Sequence, residues 1–225
     1  MIAGIHQPQY MPWLGYIDKI KKCDKFVFLD DVQYKKREYQ NRNKIRTPQG
    51  SMWLTIPVLV KGKYRQDIKQ VKINNSTNWR KDHIKAIKHN YSSAKYFDKY
   101  FPQIEKIFSK EYKYLIDINM ETIKFMIKAF DIDTEYVFSS ELNIKSQRTQ
   151  RLIDICKKLG ADEYLSGQGA KDYMDQELFN KNGIKLRYQE FKHPEYTQNF
   201  DGFIPNLSAI DYLFNKKVDS SIFFD

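Results

Sequence analysis

The chain has 225 residues and a mass of 27.0 kDa; 41% of its residues are hydrophobic, 15% aromatic and 29% charged. A chain of this length buries roughly 70% of its unfolded surface, so it needs neither a disulfide nor a metal to fold. No apolar stretch reaches the ~20 residues that cross a bilayer, and the first residues lack the basic and apolar regions of a signal peptide. We therefore expect no membrane span and a cytoplasmic protein. Cys23 and Cys156 lie far apart in the sequence and are expected to be buried, reduced thiols.

The net charge of +10 comes from 38 basic and 28 acidic residues. We interpret most of the excess as spread along the chain, because lysines recur in nearly every segment. A positive field raises the encounter rate with any anion, so a phosphorylated small molecule, a tRNA and an acyl carrier protein are all candidate partners. The sequence carries no signature of a known RNA-binding module, which argues against a dedicated nucleic-acid reader.

Short strand-like runs alternate with helical patterns along the chain. The strand-like runs are 2–6, 26–29, 52–60, 68–73, 135–139, 163–165 and 184–188. Pro12 predicts the start of a first helix, and a later helix is expected to be capped by Ser146 and to end at Gly160. The apolar pattern of residues 79–130 predicts packed helices with breaks near residues 92 and 110.

This alternation predicts an α/β fold with a mainly parallel sheet flanked by helices. The runs 53–60 and 68–73, joined by a basic stretch that contains glycine, predict a β-hairpin added to that sheet. We find no internal repeat and no flexible linker. Residues 1–225 are therefore expected to form a single domain, with a helical subdomain inserted at about 79–130.

The segment His6–Tyr16, HQPQYMPWLGY, leads from the first predicted strand into the first helix. In open α/β sheets, ligands bind beyond the carboxyl ends of the strands, and a helix N-terminus there attracts anions. His6 is our candidate general acid or base, because imidazole titrates near neutral pH. Gln7 and Tyr10 are candidate substrate-binding residues. The alternative is that His6 is a structural histidine in a turn shaped by prolines.

Two carboxylates and an amide follow the second predicted strand, where a neighbouring parallel strand would also bring His6. A carboxylate in that place can orient an imidazole, hold a substrate hydroxyl or ammonium group, or bind Mg²⁺. We favour Asp30 as the catalytic residue and Asp31 and Gln33 as substrate-binding residues. Capping of a turn or helix is the alternative function of these carboxylates.

Between residues 35 and 46 the positive charge is clustered, with six basic residues against the single acid Glu38. Within this cluster Asn41, Arg42 and Asn43 offer a planar donor fork flanked by amides, which suits a carboxylate, a diphosphate or a base edge. A solvated loop explains the lysines of the cluster equally well.

Two further segments are candidate anion sites. The first is the predicted helix start with Ser146 and Arg148. The second is the turn after a strand, with Ser166, Gly167 and Gly169. A Gly-x-Gly sequence alone is a weak signal for phosphate binding.

Several chemistries are disfavoured because their motifs are missing. The sequence has no Gly-x-Ser-x-Gly elbow, Walker loop, His-Glu-x-x-His motif or cysteine cluster. His83 and His89 are six residues apart in a helical pattern and should point to different faces. We expect both at the surface, and we expect no metal site.

Four blocks of sequence resemble the WbqC-like family in their order and spacing: HQPQYMPWLGY at 6–16, DDVQ at 30–33, NRNKI at 41–45 and WLTIPV at 53–58. Ser146, Arg148 and YLSGQGA at 164–170 extend the resemblance over most of the chain. The resemblance implies a role in bacterial surface-polysaccharide (O-antigen) biosynthesis, where some sugars carry amino-acid or acyl substituents on an amino group.

On this basis we expect a transferase that acylates or aminoacylates the amino group of a nucleotide-linked deoxyamino sugar. His6 would take the proton of the amine, Asp30 would orient His6 or hold a hydroxyl, and Arg42 with its neighbouring asparagines would bind the diphosphate or the donor. These groups would have to share one crevice.

The donor would be an acyl carrier protein or an aminoacyl-tRNA, with no built-in cofactor. A requirement for ATP or Mg²⁺ and a homo-oligomeric state stay open. One alternative is a non-catalytic protein that binds the nucleotide sugar or organises the pathway. The other is an ATP-dependent nucleotidyl-transferring enzyme, suggested at fold level by the strand, histidine and helix at the N-terminus.

Overall fold

The structure, a computed structural model, describes residues 1–63 and 65–218. Its strands are β1 (Ile2–His6), β2 (Lys25–Phe28), β3 (Arg42–Thr47), β4 (Gly50–Thr55), β5 (Glu135–Phe138), β6 (Glu163–Ser166) and β7 (Lys185–Tyr188). Its α-helices are α1 (Leu14–Lys21), α2 (Trp79–Tyr91), α3 (Phe97–Ser109), α4 (Leu115–Ala129), α5 (Arg148–Leu159), α6 (Gln176–Lys181) and α7 (Ile210–Asn215). The chain forms two compact units. The first comprises Met1–Gln7, Asp18–Val32 and Ile132–Lys192, and the second comprises the other described residues.

The first unit is built on five parallel strands in the order β5-β2-β1-β6-β7. Parallel strands are buried on both faces and therefore read as short apolar runs. Five of the predicted runs match these strands to within one residue at each end. Helix α5 covers the sheet through Ile153, which is buried in one core with Ile5, Val27 and Tyr164. The predicted α/β fold is thus confirmed.

The strand order has a direct consequence for ligand binding. Numbered within the sheet alone, the order is 3-2-1-4-5, because the chain first extends the sheet on one side of β1 and later on the other. In such sheets ligands bind beyond the carboxyl ends of the strands at the point where the direction of winding reverses. That point lies here between β1 and β6, whose last residues are His6 and Ser166.

The second unit contains an antiparallel hairpin of β3 and β4, whose register runs from Arg42 opposite Thr55 to Thr47 opposite Gly50. Gly50 has φ +125°, a conformation that favours glycine. The hairpin itself was expected, but its position corrects the prediction. The predicted strand at 68–73 begins instead with a 3-10 helix at Ile68–Gln70. A single bridge, Val58 to Ile73, joins the two predicted strands among the described residues.

Helices α2, α3 and α4 occupy most of the segment 79–130, with interruptions at residues 92–96 and 110–114. The prediction that His83 lies at the surface was wrong. His83 is 5% exposed; its ring packs beside Trp79 and Phe108, and its Nδ1 lies 2.8 Å from the hydroxyl of Tyr10. His89 is exposed, as expected. The two histidines differ because the face of α2 that carries His83 is its packed face.

Three further expectations concern the chain as a whole. Cys23 and Cys156 are free and buried, as the sequence indicated. None of the helices in the described part of the chain has the length and hydropathy needed to cross a membrane. The description of residues 1–225 as a single domain stays a prediction.

Candidate functional site

A cavity of about 790 Å³ opens at the carboxyl ends of β1 and β6 in the first unit, at the reversal point of the sheet. Its volume lies within the range of small-molecule sites. The residues that line it are Ile5, His6, Gln7, Lys19, Leu29, Val32, Arg148, Thr149, Arg151, Leu152, Tyr164, Ser166, Gly167, Gly169, Ala170 and Met174. Three of them are basic and none is acidic. The cavity is therefore suited to an anionic ligand.

The cavity brings together residues predicted from three distant segments of the sequence. His6 is the last residue of β1 and Gln7 follows it, and Arg148 is the first residue of α5. Ser166 is the last residue of β6, and Gly167 and Gly169 lie in the turn after it. Two of these segments are the ends of neighbouring parallel strands, which share one edge of the sheet. The roles assigned to these residues stay predictions, but their placement in one cavity is a finding.

His6 is half-buried at the end of β1. Its Nδ1 lies 3.0 Å from the carbonyl oxygen of Gln7 and donates to it, because a carbonyl only accepts; the lone pair of the neutral ring is then on Nε2. Burial lowers the pKa of His6 to about 4, with the charge of Lys19 as a second cause. His6 is therefore neutral at pH 7 and chemically able to accept a proton.

Lys19 and Arg151 are the basic residues of this cavity that the sequence reasoning missed, and Lys19 is the more deeply buried of the two. The side chain, on α1, is 3% exposed, and its Nζ donates a hydrogen bond of 2.9 Å to the carbonyl oxygen of Ile5. Burial lowers the pKa of Lys19 to about 8, so the ammonium is still mainly charged at pH 7. No carboxylate of the described residues forms an ion pair with it. The signal in the sequence is a lysine next to Ile20 and four residues before Cys23, within the apolar positions of a short helix.

Two arginines occupy the first turn of α5, where the helix dipole disfavours cations. Arg151 is paired with Asp31 at 2.6 Å and also donates to the carbonyl oxygen of Ile144. The side chain of Arg148 is exposed and forms no hydrogen bond or ion pair within the described part of the chain. It also has φ +53°, which is unfavourable for a residue other than glycine. Departures from local preference of this kind concentrate at functional sites.

The carboxylates that follow β2 do not line the cavity. Asp30 is 4% exposed and accepts hydrogen bonds from the amide (2.9 Å) and hydroxyl (2.6 Å) of Ser140 and from the hydroxyl of Ser139 (3.1 Å). Asp31 accepts from Ser139 and Arg151. Burial by itself would raise the pKa of Asp31, but these hydrogen bonds outweigh it and the pKa is lowered. Both carboxylates thus hold the short 3-10 helix at Ser139–Leu142 and the chain that leads to α5.

The contacts of both carboxylates are therefore those of capping groups, the alternative function considered above. A catalytic role for Asp30 stays a prediction. Among residues 1–63 and 65–218, no three His, Cys, Asp or Glu side chains are arranged to hold a metal ion.

The remaining anion candidates differ in their surroundings. The hydroxyl of Ser146 donates to Asp154, and α5 begins two residues later than the predicted cap, at Arg148. Ser166 is fully buried at the end of β6. A Cβ atom added at Gly167 or Gly169 would meet no atom within 4 Å. The backbone of this turn is therefore open to close approach by a ligand.

The other candidates belong to the second unit. Tyr10 is fully buried and Gln33 forms a bridge with Asp67. The amide of Asn41 donates to Ile56 (2.9 Å) and that of Asn43 donates to Met11 (2.6 Å).

Because successive residues of a strand point to opposite faces, Arg42 lies on the other face of β3 from these buried amides. Its guanidinium stacks on Trp53 at 4.1 Å and is therefore not flanked by the two amides as the sequence suggested. The roles of these residues as substrate ligands, and a crevice shared by His6, Asp30 and Arg42, stay predictions.

The chain is similar to proteins known from sequence. Residues 7–222 match the model of the WbqC-like protein family. A protein of Mycobacterium tuberculosis, "Uncharacterized protein Rv1507c", is 35% identical over 215 residues, which cover 95% of this chain and 93% of the relative. No solved structure matches the chain. The family match includes the cavity residues of α5 and β6, and the protein with the basic cavity described above belongs to the WbqC-like protein family.

Proposed function

We propose that this protein is a transferase of bacterial surface-polysaccharide (O-antigen) biosynthesis that acylates or aminoacylates the amino group of a nucleotide-linked deoxyamino sugar. The observation that carries the proposal is the charge of the cavity: no carboxylate lines it, Lys19 and Arg148 form no ion pair with the described residues, and the third basic residue, Arg151, is paired with Asp31. A diphosphate is the anion that a nucleotide-linked sugar offers to such a site. The proposed sugar and acyl donor rest on the resemblance to the family. The basic cavity supports only the proposal that the substrate carries a nucleoside diphosphate.

Lys19 is the main anchor for the diphosphate in this proposal. A buried ammonium without a carboxylate partner loses hydration that the carbonyl oxygen of Ile5 and the ring of Tyr164, whose centroid is 5.8 Å from Nζ, replace only in part. A phosphate oxygen beside Nζ would supply the missing counter-charge through a charge-assisted hydrogen bond. The start of α5 adds Arg148 and the unpaired amides of a helix N-terminus, which also favour a phosphate group.

His6 would serve as the base. The sugar amine attacks the acyl carbon of the donor, the new C–N bond forms, and the bond from that carbon to the donor's oxygen (aminoacyl-tRNA) or sulfur (acyl carrier protein) breaks. The proton of the amine passes to Nε2 of His6 and then to the leaving group. An anion bound beside Lys19 would offset the charge that lowers the pKa of His6, so substrate binding would make His6 a stronger base.

Isothermal titration with UDP, GDP and dTDP tests the site, because each carries the diphosphate of a nucleotide-linked sugar. We expect one of them to bind and Lys19→Met to weaken that binding about 10- to 100-fold, as for a lost hydrogen bond to a charged group. Lys158→Met, which removes an exposed lysine of the same unit, should leave the affinity within about twofold. Absence of binding, or equal binding by the Lys19→Met variant, would disprove the proposed site.

The reaction itself requires a second assay. Mass spectrometry would detect the acylated sugar nucleotide formed from a nucleotide-linked amino sugar and either an acyl carrier protein or an aminoacyl-tRNA. His6→Ala should abolish turnover while nucleotide binding and folding are kept. A non-catalytic binding protein, the main alternative, would show no turnover, and His6→Ala would lower its affinity or change nothing.

A second candidate function is an ATP-dependent nucleotidyl-transferring enzyme. The 3-2-1-4-5 order of the parallel strands, with His6 at the central β1, favours it, because sheets of this order bind nucleotides at the reversal point. This function predicts that ATP is consumed and that pyrophosphate is released when an acyl acid is present. The transferase predicts turnover from an activated donor without ATP.

A further inference from the structure

Most of the net positive charge of this protein comes from one segment of the chain. Residues 35–72 contain eleven basic residues and two acidic ones, Glu38 and Asp67, which gives +9 of the total +10. The expectation of a charge spread along the chain was wrong, because the lysines elsewhere are balanced by acids. The segment belongs to the second unit and includes the β3–β4 hairpin.

The same segment carries most of the exposed large hydrophobic side chains of the described residues. Of five such side chains, all except Met1 lie between residues 39 and 59, and two of them are Tyr39 (36% exposed) and Trp53 (37% exposed). The Tyr39 and Trp53 rings lie 5.8 Å apart. An aromatic pair that is partly exposed inside a basic segment is a candidate interaction surface.

One face of the hairpin arranges these groups into a platform, which we define by Tyr39, Arg42, Lys44 and Trp53. Lys44 is directly opposite Trp53 in the register, and its Nζ lies 5.0 Å from the centroid of the Trp53 ring. The guanidinium carbon of Arg42 lies 4.1 Å from the same centroid, which is stacking distance. Nε of Arg42 is buried and has no hydrogen-bond partner among the described residues.

We propose that this platform binds single-stranded RNA. Aromatic rings and stacked guanidinium groups accept unpaired bases, and flanking cations hold the phosphates between them. The charge of the segment is complementary to a polyanion. This inference does not depend on the proposed transferase activity, since the platform residues belong to the second unit and the cavity residues to the first.

An anionic membrane surface fits the platform less well. Insertion requires adjacent apolar side chains that protrude together. Met52 and Trp53 are consecutive residues of β4 and point to opposite faces of the hairpin. The ring of Trp53 is also covered by the cations of Arg42 and Lys44, which would have to enter the apolar layer with it.

The first experiment measures fluorescence anisotropy of a labelled, unstructured RNA of about 12 nucleotides, a length within the range of single-stranded sites. We expect the protein to bind it, with affinity that falls as salt rises. Trp53→Ala should weaken binding about tenfold or more, and Trp53→Phe should retain most of it because a ring is kept. Lys44→Glu should weaken binding and flatten the salt dependence.

The matched control is Lys106→Glu, which makes the same charge change at an exposed position on α3 outside the platform. It should alter RNA affinity less than threefold, and all four variants should keep the melting temperature and nucleoside diphosphate affinity of the parent chain. Equal RNA binding by Trp53→Ala and the parent, an equal loss in Lys106→Glu, or preference for duplex over single-stranded RNA would overturn the proposal. So would Trp53-dependent binding to vesicles of phosphatidylglycerol without binding to RNA.

Discussion

The ammonium of Lys19 and the carbonyl oxygen of Ile5 are joined by a hydrogen bond of 2.9 Å in the interior of the first unit. This bond ties a helix to the end of the central strand and places a positive charge beside His6. The side chain is 3% exposed, so the charge is held largely without water. A buried ammonium without an ion-pair partner lowers the stability of the folded state until an anion binds beside it. This cost distinguishes a lysine that binds a ligand from one that stabilises the fold.

Replacing Lys19 by methionine tests that distinction in the ligand-free protein. We expect the free energy of unfolding to stay the same or to rise by about 1–3 kcal/mol, because an apolar side chain of similar length removes a desolvated charge. Chemical denaturation in urea measures this change. A loss of more than about 1 kcal/mol would mean that the bond to Ile5 is itself stabilising and that Lys19 is a structural residue.

The pKa of His6 should respond to the charge of Lys19. Burial lowers this pKa to about 4 and the neighbouring ammonium contributes to the lowering. In Lys19→Met we expect a higher pKa for His6, and in the parent protein a bound nucleoside diphosphate should also raise it. Proton NMR titration follows the ring signal, assigned by its loss in His6→Gln. An unchanged pKa in Lys19→Met, or the same change in Lys158→Met, would contradict the coupling.

Stability should fall as the pH is lowered from about 6.5 to about 4. Burial lowers the pKa of both His6 and His83 to about 4, whereas an unfolded chain protonates its histidines near pH 6.5. In this interval the unfolded state binds more protons, so protonation favours unfolding by roughly 1.4 kcal/mol per pH unit for each histidine. Urea denaturation at several pH values measures the slope.

The variant His83→Gln measures how much of this pH dependence is due to His83. It should reduce the pH dependence of the unfolding free energy, apart from any loss of stability at neutral pH when the contact with Tyr10 is broken. His89→Gln, at an exposed position of the same helix, should leave the slope unchanged. The prediction would be wrong if both variants showed the slope of the parent protein.

The buried carboxylate of Asp211 should contribute strongly to the stability of the fold. Asp211 is fully buried and accepts hydrogen bonds from the hydroxyls of Tyr91 (2.8 Å) and Tyr196 (2.7 Å) and from the amide of Gln198 (2.9 Å). In Asp211→Asn an NH₂ group would face at least one of these donors, so we expect a loss of about 2–4 kcal/mol. Thermal and urea unfolding measure it. Asp201→Asn, at an exposed position, should change stability by less than about 0.5 kcal/mol.

Two glycine substitutions should separate an effect on folding from an effect on ligand binding. In Gly4→Ala the new Cβ would lie 2.5 Å from Sγ of Cys23 and 2.7 Å from the ring of Phe26, so we expect about 1–3 kcal/mol of destabilisation. In Gly167→Ala the Cβ meets no atom within 4 Å, and stability should be unchanged. The same methyl group should weaken nucleoside diphosphate binding if a phosphate approaches this backbone. Unaltered affinity would place the phosphate elsewhere.

The parallel sheet could be predicted from the sequence because its strands are buried on both faces and appear as short apolar runs. The hairpin was located wrongly because β3 has the sequence RNKIRT, in which Ile45 is the single large apolar residue. Its outer face is covered by Arg42 and Lys44 and its inner face uses the amide of Asn43. A strand with this composition has the pattern of a solvated basic loop.

The cavity was predictable in part for a related reason. His6 and Ser166 are recognisable as strand ends, and parallel strand ends share an edge. Lys19 was missed because a lysine in a short helix is normally at the surface. Its place among apolar positions was a weak signal, and the packing of the first unit is what shows that it is buried. The contacts of Asp30 were also not predictable: its position after a strand suggested chemistry, and its hydrogen bonds to Ser140 are those of a cap, while its catalytic role stays a prediction.

The order of strands in the first unit has a consequence for how the protein is made. β2 ends at Phe28 and pairs with β5, which begins at Glu135. A ribosome adds about 5–20 residues per second, so roughly 5–20 seconds pass between the synthesis of the two strands. Through that time the nascent chain carries apolar strands whose edges lack their final neighbours, and its yield in a foreign host should depend on the pace of translation across residues 29–134.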